Sequence, residues 1–517
     1  MMRKDAGERR EISLDGGKTS GNRTMPQAAK AEVVQGEVGR PRSSEEAPVM
    51  GVERRGSSCV RAKEASGERG DGSRDLPTPT EPEKETRVQK LQQTLYRQAK
   101  KNPKWKAWSL YGELQCLQIL EEAMRRVISN RGGAGVDGLS TQDLIEEPDL
   151  QDRLIQRIKQ ELKERAYRPS PIRRVYIPKA DGKQRPLGIP TVKDRVIQTA
   201  MMIIIEPIFE ADFHEESYAY RPKRKAQEAV QSIKEGILSG RHEIVDADLS
   251  GYFDSIPHRE LMKLVAKRVN DKMILKLIKA WLRARIVEED PKSGKKTSYP
   301  NDQGTPQGGV ISPLLANLYL DGLDKIVNSG KKFKAKMVRY ADDFVILCYK
   351  ANAEPLMESL KKWLETRGLK LNEEKTRIIE YGKEPLDFLG FRIQQRKSPK
   401  TGRNYPHCEP SPKSCRKIRE AIREETSWDK QWRKEKEVFE TVNRRVGGWI
   451  NYFHYSNSTE VFSKIQWQMR ERMRRWLWQR HKKTYAQYGA RYSDEELHGR
   501  HGLIRFPMNA PWKNQNA

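Results

Sequence analysis

The chain has 517 residues, with 99 Lys or Arg against 71 Asp or Glu, a formal net charge of +28 and a pI near 9.7. At about 100–200 residues per domain that length implies two or three domains, and the basic excess suits a polyanion partner bound with strong salt dependence. No apolar run reaches membrane-span length, no apolar N-terminal core marks a secretory signal, and Asp5, Glu8 and Glu11 among the first arginines argue against an organellar transit peptide.

Residues 1–85 are rich in Gly, Ser, Arg and Glu and nearly devoid of aromatics, so they cannot bury enough apolar surface to fold and are expected to be a disordered extension. Pro77 to Pro82 reads as a linker. Order is expected from Arg87, where Val88, Leu91, Leu95 and Tyr96 have roughly helical spacing, followed by Trp105, Trp108 and a helix from Gly112 to Ser129. The loop Arg131-Gly-Gly-Ala-Gly-Val-Asp-Gly138 fits neither a Walker loop nor a dinucleotide fingerprint. Residues 173–190 read as two strands around an Ala-Asp-Gly-Lys turn. Met201-Met-Ile-Ile-Ile205 reads as buried core.

In Glu243-Ile-Val-Asp-Ala-Asp-Leu249, a period of two puts Val245, Ala247 and Leu249 on one face and Asp246 and Asp248 on the other. Pro257 then opens a helix. Further on, Met337-Val-Arg-Tyr-Ala-Asp-Asp-Phe-Val-Ile-Leu-Cys348 reads as two buried strands joined by a turn at Ala341-Asp342-Asp343. Adjacent carboxylates repel, and burying either costs several kcal/mol unless a cation compensates (roughly,). A hairpin tip with two Asp beside a strand with two more suits a pair of divalent ions clamping an in-line phosphoryl transfer. Beyond Gln394 the chain turns helical and basic. Val446, Trp449, Ile450 and Phe453 form one apolar stripe, and Ile465, Met469, Met473 and Trp476 another. The opposite face of the later helix carries Arg470, Arg472, Arg474, Arg475, Arg480, Lys482 and Lys483, suited to RNA phosphates. Five cysteines (59, 116, 348, 408 and 415) form no C-x-x-C pair, which indicates neither a zinc site nor a disulfide framework and suits a reducing compartment.

Tyr340-Ala-Asp-Asp343 with Asp248-Leu-Ser-Gly-Tyr-Phe253 resembles the palm of reverse transcriptases. From Arg87 to near the C-terminus the chain resembles the group II intron-encoded reverse transcriptase/maturases. Gln303-Gly-Thr-Pro-Gln-Gly-Gly-Val-Ile-Ser-Pro313, between the two acidic motifs, adds to the likeness. The resemblance implies an α+β right-hand polymerase: fingers and palm over 86–395 with an antiparallel palm sheet, a helical thumb/maturase domain X over 396–490, and a tail over 491–517. It implies catalysis by Asp248, Asp342, Asp343 and Lys375, the last protonating the leaving pyrophosphate. Two Mg²⁺ would be held by Asp248, Leu249, Asp342 and Asp343. Geometry alone leaves Asp246 and Asp248 equal; the family spacing to an aromatic residue selects Asp248. The incoming nucleotide would meet Lys179, Arg185, Phe253 and Gln307, with Phe253 under the sugar C2′.

The resemblance implies that the loop 131–138 is template-contacting or structural, that Tyr218-Ala-Tyr-Arg-Pro222 contacts template or packs, and that Phe388-Leu-Gly-Phe-Arg-Ile393 grips primer. The implied partners are intron RNA, RNA template, DNA primer or target and dNTPs, with no membrane; the resemblance admits a homodimer and implies the bacterial cytoplasm. It also implies a lineage without the C-terminal His-Asn-His endonuclease. Two alternatives stand beside this: a retron or defence reverse transcriptase, against which the maturase-like segment speaks, and an RNA-binding splicing factor with an inactive palm, against which the intact acidic residues speak.

Overall fold

Alternation in one sheet divides the protein's interior in two. The central sheet runs in the order Lys336–Tyr340, Asp343–Cys348, Glu243–Ala247, Arg377–Glu380, antiparallel throughout. On one face Met337, Phe344, Ile346, Val245 and Ala247 join a core with the helices Val192–Glu210 and Ser312–Asn328. On the other, Val338, Val345, Leu347 and Ile244 join a second core. Strand Asp343–Cys348 is buried on both faces, which is why its sequence is a continuous apolar run. The computed structural model describes residues 85–178, 182, 184–290, 292–481 and 492–508. The expectations for residues 1–84, Lys179, Lys482, Lys483 and the end of the tail from 509 therefore lie outside the described residues.

The first core is roofed by helices. Thr86 caps the helix Arg87–Lys101 through a reciprocal capping box with Gln89. That helix and Leu117–Ser129 pack on Val192–Glu210, whose Ile203, Ile204 and Ile205 are wholly buried, as the apolar run predicts. The single helix expected from Gly112 to Ser129 is in fact two, Tyr111–Leu114 and Leu117–Ser129. The Asp271 carboxylate accepts from Leu110 N and Tyr111 N at 2.9 Å, so the short helix has its own cap, and an extended Cys116 starts the second. The glycine loop after it packs inward: Arg195 donates to Gly133 O at 2.7 Å, and a Cβ on Gly135 would lie 2.7 Å from Thr191 Cα.

Glu206, on the same long helix, is largely buried, and its carboxyl is pushed up to about 7 by burial and then by Glu210. A carboxyl raised in the folded state holds its proton better there than in the unfolded chain. Stability is therefore lost as pH rises from the ordinary Glu range through about 7. Glu206→Gln should stabilise the protein by roughly 2 kcal/mol more at pH 8 than at pH 5. Urea melts at the two pH values check this; an equal effect at both would remove burial as the cause.

A second sheet orders Gln184–Ile189, Ile172–Pro178, Ile286–Glu289 and Lys296–Tyr299, with the first two forming the expected basic hairpin. A third pairs Leu386–Phe388, Phe391–Lys397 and Asn404–Pro410. The pairing of Phe391–Lys397 does not stop at 395/396, the expected domain boundary, but continues across it with Gln395 opposite Pro406 and Arg396 opposite Tyr405. Nor does the helical region have a core to itself. Helices Pro412–Glu425, Glu435–Phe453 and Thr459–His481 bury both predicted stripes in the same second core as Val338, Val345 and Leu347. Among the described residues no helix is long and apolar enough to cross a membrane.

Candidate active site

The acidic hairpin turns where the sequence places the turn, with Tyr340 paired to Asp343 and Ala341 in the left-handed region at φ +61°. Beside it, the strand Glu243–Ala247 ends one residue before Asp248, whose main chain is fixed by Asn372 N donating to Asp248 O at 2.8 Å. Asp343 lies near enough to Asp248 for the charge of Asp248 to act on its carboxyl. Burial first, then the charges of Asp342 and Asp248, push the Asp343 carboxyl up to about 7. Burial likewise raises Asp342, with Asp248 adding to it and Arg185 and Lys375 opposing. The three carboxylates therefore meet.

Lys375 Nζ donates to Asp248 Oδ2 at 2.9 Å, with Asn372 Nδ2 at 3.2 Å on the same oxygen. Asp246 is on the same face but is held by Arg377 at 3.3 Å, so the two aspartates that alternation leaves equal are distinguished by their partners. Leu249 buries its side chain in the first core and can offer a cation only its carbonyl. Among the described residues no three His, Cys, Asp or Glu side chains are already drawn together as a metal cage. Three mutually repelling carboxylates, opposed by Lys375 and Arg185, nevertheless form the hard-oxygen donor set that suits a divalent cation.

Of the expected nucleotide residues, Arg185, Phe253 and Gln307 are described. Arg185 acts on the charge of Asp342 from the basic hairpin. The glycine-rich loop is clamped onto the turn after Asp248: Thr305 N donates to Phe253 O at 2.6 Å and Gly304 N to Ile256 O at 2.8 Å. At Gly304, φ is +82° and a Cβ would lie 2.7 Å from Asp254 Cα, so this approach requires glycine. Gln307 Nε2 donates to Asp254 Oδ2 at 3.0 Å. Tyr252 is a core residue, its hydroxyl donating to Ala316 O at 2.5 Å. Phe253 is half-buried and packs edge-on to it, leaving Phe253 as the aromatic side chain with a free face.

Two neighbours stand out, Tyr220 within the motif 218–222 and Arg339 in the run before the hairpin tip, where the motif gives it no role. Tyr220 sits at φ +57°, exposed, with its phenol raised by burial and then by Asp342. Arg339 is wholly buried behind the hairpin. A lone charged residue inside the apolar run before Tyr340 is the signal that could have pointed to it.

The basic helix is more committed internally than its sequence suggests. Arg470 and Arg474 are both paired with Asp494, and Arg474 also donates to Tyr492 O. Arg472 donates to Thr426 Oγ1 at 2.9 Å, and Arg480 to Arg433 O at 2.8 Å. Arg475 is exposed, and with Arg423 it crowds Arg472. No ion pair among the described residues neutralises these three. The exposed Trp428 and Trp432 lie on the segment that follows Thr426.

Comparison with known proteins agrees with this arrangement. Residues 177–393 match the family model for reverse transcriptase (RNA-dependent DNA polymerase), and residues 415–493 the maturase-specific domain of group II introns. Protein YkfC of Escherichia coli is 34% identical over 354 residues, covering 60% of this chain and 89% of that protein. The chain belongs to the group II intron-encoded reverse transcriptase/maturases. Group II intron-encoded protein LtrA of Lactococcus lactis is 32% identical over 355 residues, 56% of this chain and 57% of LtrA. A putative COX1/OXI3 intron 2 protein of Saccharomyces cerevisiae is 26% identical over 297 residues, 46% of this chain and 34% of its own length. For a reverse transcriptase/maturase, the acidic hairpin falls inside the polymerase match and the crowded arginines inside or beside the maturase match.

Proposed function

We propose that the chain copies RNA into DNA at the Asp248–Asp342–Asp343 cluster and helps its intron RNA fold and splice through its helical region. The observation that carries the first part is the meeting of those three carboxylates beside Arg185 and Phe253. In right-hand terms the central sheet is the palm, the basic hairpin the fingers and the helical region the thumb. Two Mg²⁺ on Asp248, Asp342, Asp343 and the Leu249 carbonyl would supply charge neutralisation for the attacking and leaving oxygens.

The chain's own groups do the rest. The primer 3′-hydroxyl forms a bond to the dNTP α-phosphorus as the α–β phosphoanhydride bond breaks and pyrophosphate leaves. Arg185 offers a bidentate fork to the triphosphate. Lys375, with its ammonium already at Asp248, is the proton source for the pyrophosphate, a contribution of about 10²–10⁴-fold. Relatives from Escherichia coli and Lactococcus lactis support a bacterial cytoplasmic setting. Primer extension by the purified protein on an RNA template, with and without Mg²⁺, tests the reading; no DNA product on any primed RNA would overturn it.

The RNA-binding part makes a narrower prediction. Replacing Arg423 and Arg475 with Ala should weaken intron RNA binding and lower the slope of log K against log salt by about 1–2, because each lost phosphate contact removes roughly one released counterion. Replacing Arg470 and Arg474 should instead lower the unfolding temperature, since their charges are spent on Asp494. Filter binding across a salt series separates the two. An unchanged slope in the first variant would assign that patch to solvent.

A further inference from the structure

Arg339 stands immediately before Tyr340 and is 0% exposed. Its Nε and Nη2 donate to Asp324 at 2.8 and 2.6 Å, and both side chains of this pair are 1% exposed. Taking an ion pair out of water costs several kcal/mol per ion (roughly,), and an apolar residue of similar volume would fill the space without that cost. What an apolar side chain could not do is donate to particular acceptors. Nη1 donates to Ala341 O at 2.9 Å and to Asn317 Oδ1 at 2.8 Å, and Nη2 to Ser217 Oγ at 2.7 Å. Asn317 passes the contact on, its Nδ2 donating to Ala219 O at 2.7 Å.

Both carbonyls belong to peptides at left-handed corners. Ala341, at φ +61°, is joined through its carbonyl to Asp342, and Ala219 through its carbonyl to Tyr220, at φ +57°. Neither corner is a glycine. Such conformations cost of order 1–3 kcal/mol each and persist where the surroundings over-determine them. Here the surroundings converge on one guanidinium. The Arg339 main chain is pinned as well, its N donating to Glu216 O at 2.9 Å and its O accepting from Tyr218 N at 3.0 Å. The node thus ties the segment 216–220, the helix Ser312–Asn328 and the acidic hairpin together.

We infer that Arg339, with Asp324 and Asn317, is the positioning group of the acidic hairpin, holding the Ala341–Asp342 and Ala219–Tyr220 peptides so that the carboxylates stay aimed at the metal ions with Tyr220 beside them. The inference rests on the polymerase reading of the hairpin. Arg339→Lys tests it. A lysine keeps a charge for Asp324, but its point-like ammonium cannot span the acceptors that the planar fork reaches. Arg268→Lys is the control: Arg268 is also buried and paired with Asp212, at 2.6 Å, but its other contacts are Ala99 O, Asn102 O and Trp105 O, away from the hairpin.

Each variant is assayed well below its unfolding midpoint, for single-nucleotide incorporation on a primed RNA and for Mn²⁺ binding followed by electron paramagnetic resonance without nucleotide. Arg339→Lys should lower kcat by about 10²-fold, the usual cost of a displaced reacting group. It should leave the dNTP KM within about twofold and weaken Mn²⁺ binding severalfold. Arg268→Lys should lower the unfolding midpoint while keeping wild-type kcat and Mn²⁺ affinity. If Arg339→Lys does not fold, Asn317→Ala, which removes a neutral link in the same node, should give the same split with a smaller drop. Wild-type kcat and Mn²⁺ affinity in the folded Arg339 or Asn317 variant, or an equal kcat loss in Arg268→Lys, would overturn the inference. Absence of DNA synthesis by the wild-type protein would instead defeat the polymerase reading, and the Mn²⁺ measurement would still report on the node.

Discussion

Asp342→Asn and Asp343→Asn should each abolish primer extension on RNA, a loss of about 10³-fold or more, while intron RNA binding stays close to wild type. Asparagine keeps the shape of the tip and its hairpin pairing, so what is lost is negative charge where charge must be neutralised. The same substitutions relieve the crowding of three carboxylates that burial already disfavours, so the variants should melt no lower than wild type. Inactivity together with undiminished stability is the signature of a site that sacrifices folding energy for chemistry. Asp246→Asn is the comparison, since Asp246 is held by Arg377. Its activity should fall much less than that of Asp248→Asn. Steady-state extension in Mg²⁺ with parallel thermal melts checks all four variants. Near wild-type extension by an Asp342 or Asp343 variant would remove that residue from the required set.

Phe253→Ala should raise incorporation of ribonucleotides relative to deoxyribonucleotides by about 10²-fold, with a smaller loss of dNTP use. The main chain at Phe253 is held by the glycine-rich loop through Thr305, so truncating the ring should open space without moving the turn. Selection would then have come from a clash with the 2′-hydroxyl and not from a hydrogen bond that the deoxy sugar lacks. Tyr252→Ala should behave differently. It removes a buried ring and the bond to Ala316 O, so stability falls and the sugar preference remains. Competing dNTP and NTP extension on one RNA template decides between them. Equal loss with both nucleotides in Phe253→Ala would make that ring a packing residue.

Much of the central sheet is legible because its two periodicities are unambiguous. Alternation assigns Val245, Ala247 and Leu249 to one core, and the uninterrupted run from Phe344 to Cys348 marks a strand covered on both sides. The helical stripes at Val446–Phe453 and Ile465–Trp476 are legible for the same reason. What pattern does not carry is the identity of partners far away in sequence. Nothing local to Asp246 foretells Arg377, and nothing in the run of arginines from 470 to 475 foretells that Asp494 claims two of them. The cap of the short helix at Leu110 and Tyr111 comes from Asp271, more than 150 positions later by residue number. Arg339 is visible as an anomaly, but its acceptors lie on three separate segments that no spacing rule connects.

The sharing of one core between the central sheet and the C-terminal helices also governs how the protein can be made. As the chain leaves the ribosome, strands 336–340 and 343–348 emerge with Val338, Val345 and Leu347 in a core that the earlier helix Ala226–Leu238 already lines and whose cover Phe439, Val446, Ile465 and Met473 complete. At 5–20 residues per second, that cover arrives on the order of ten seconds later. Through that interval the nascent chain carries this second core only in part. Fragments ending before the helices would leave the apolar partners of Phe439, Val446, Ile465 and Met473 without cover, so they should be sticky rather than merely inactive.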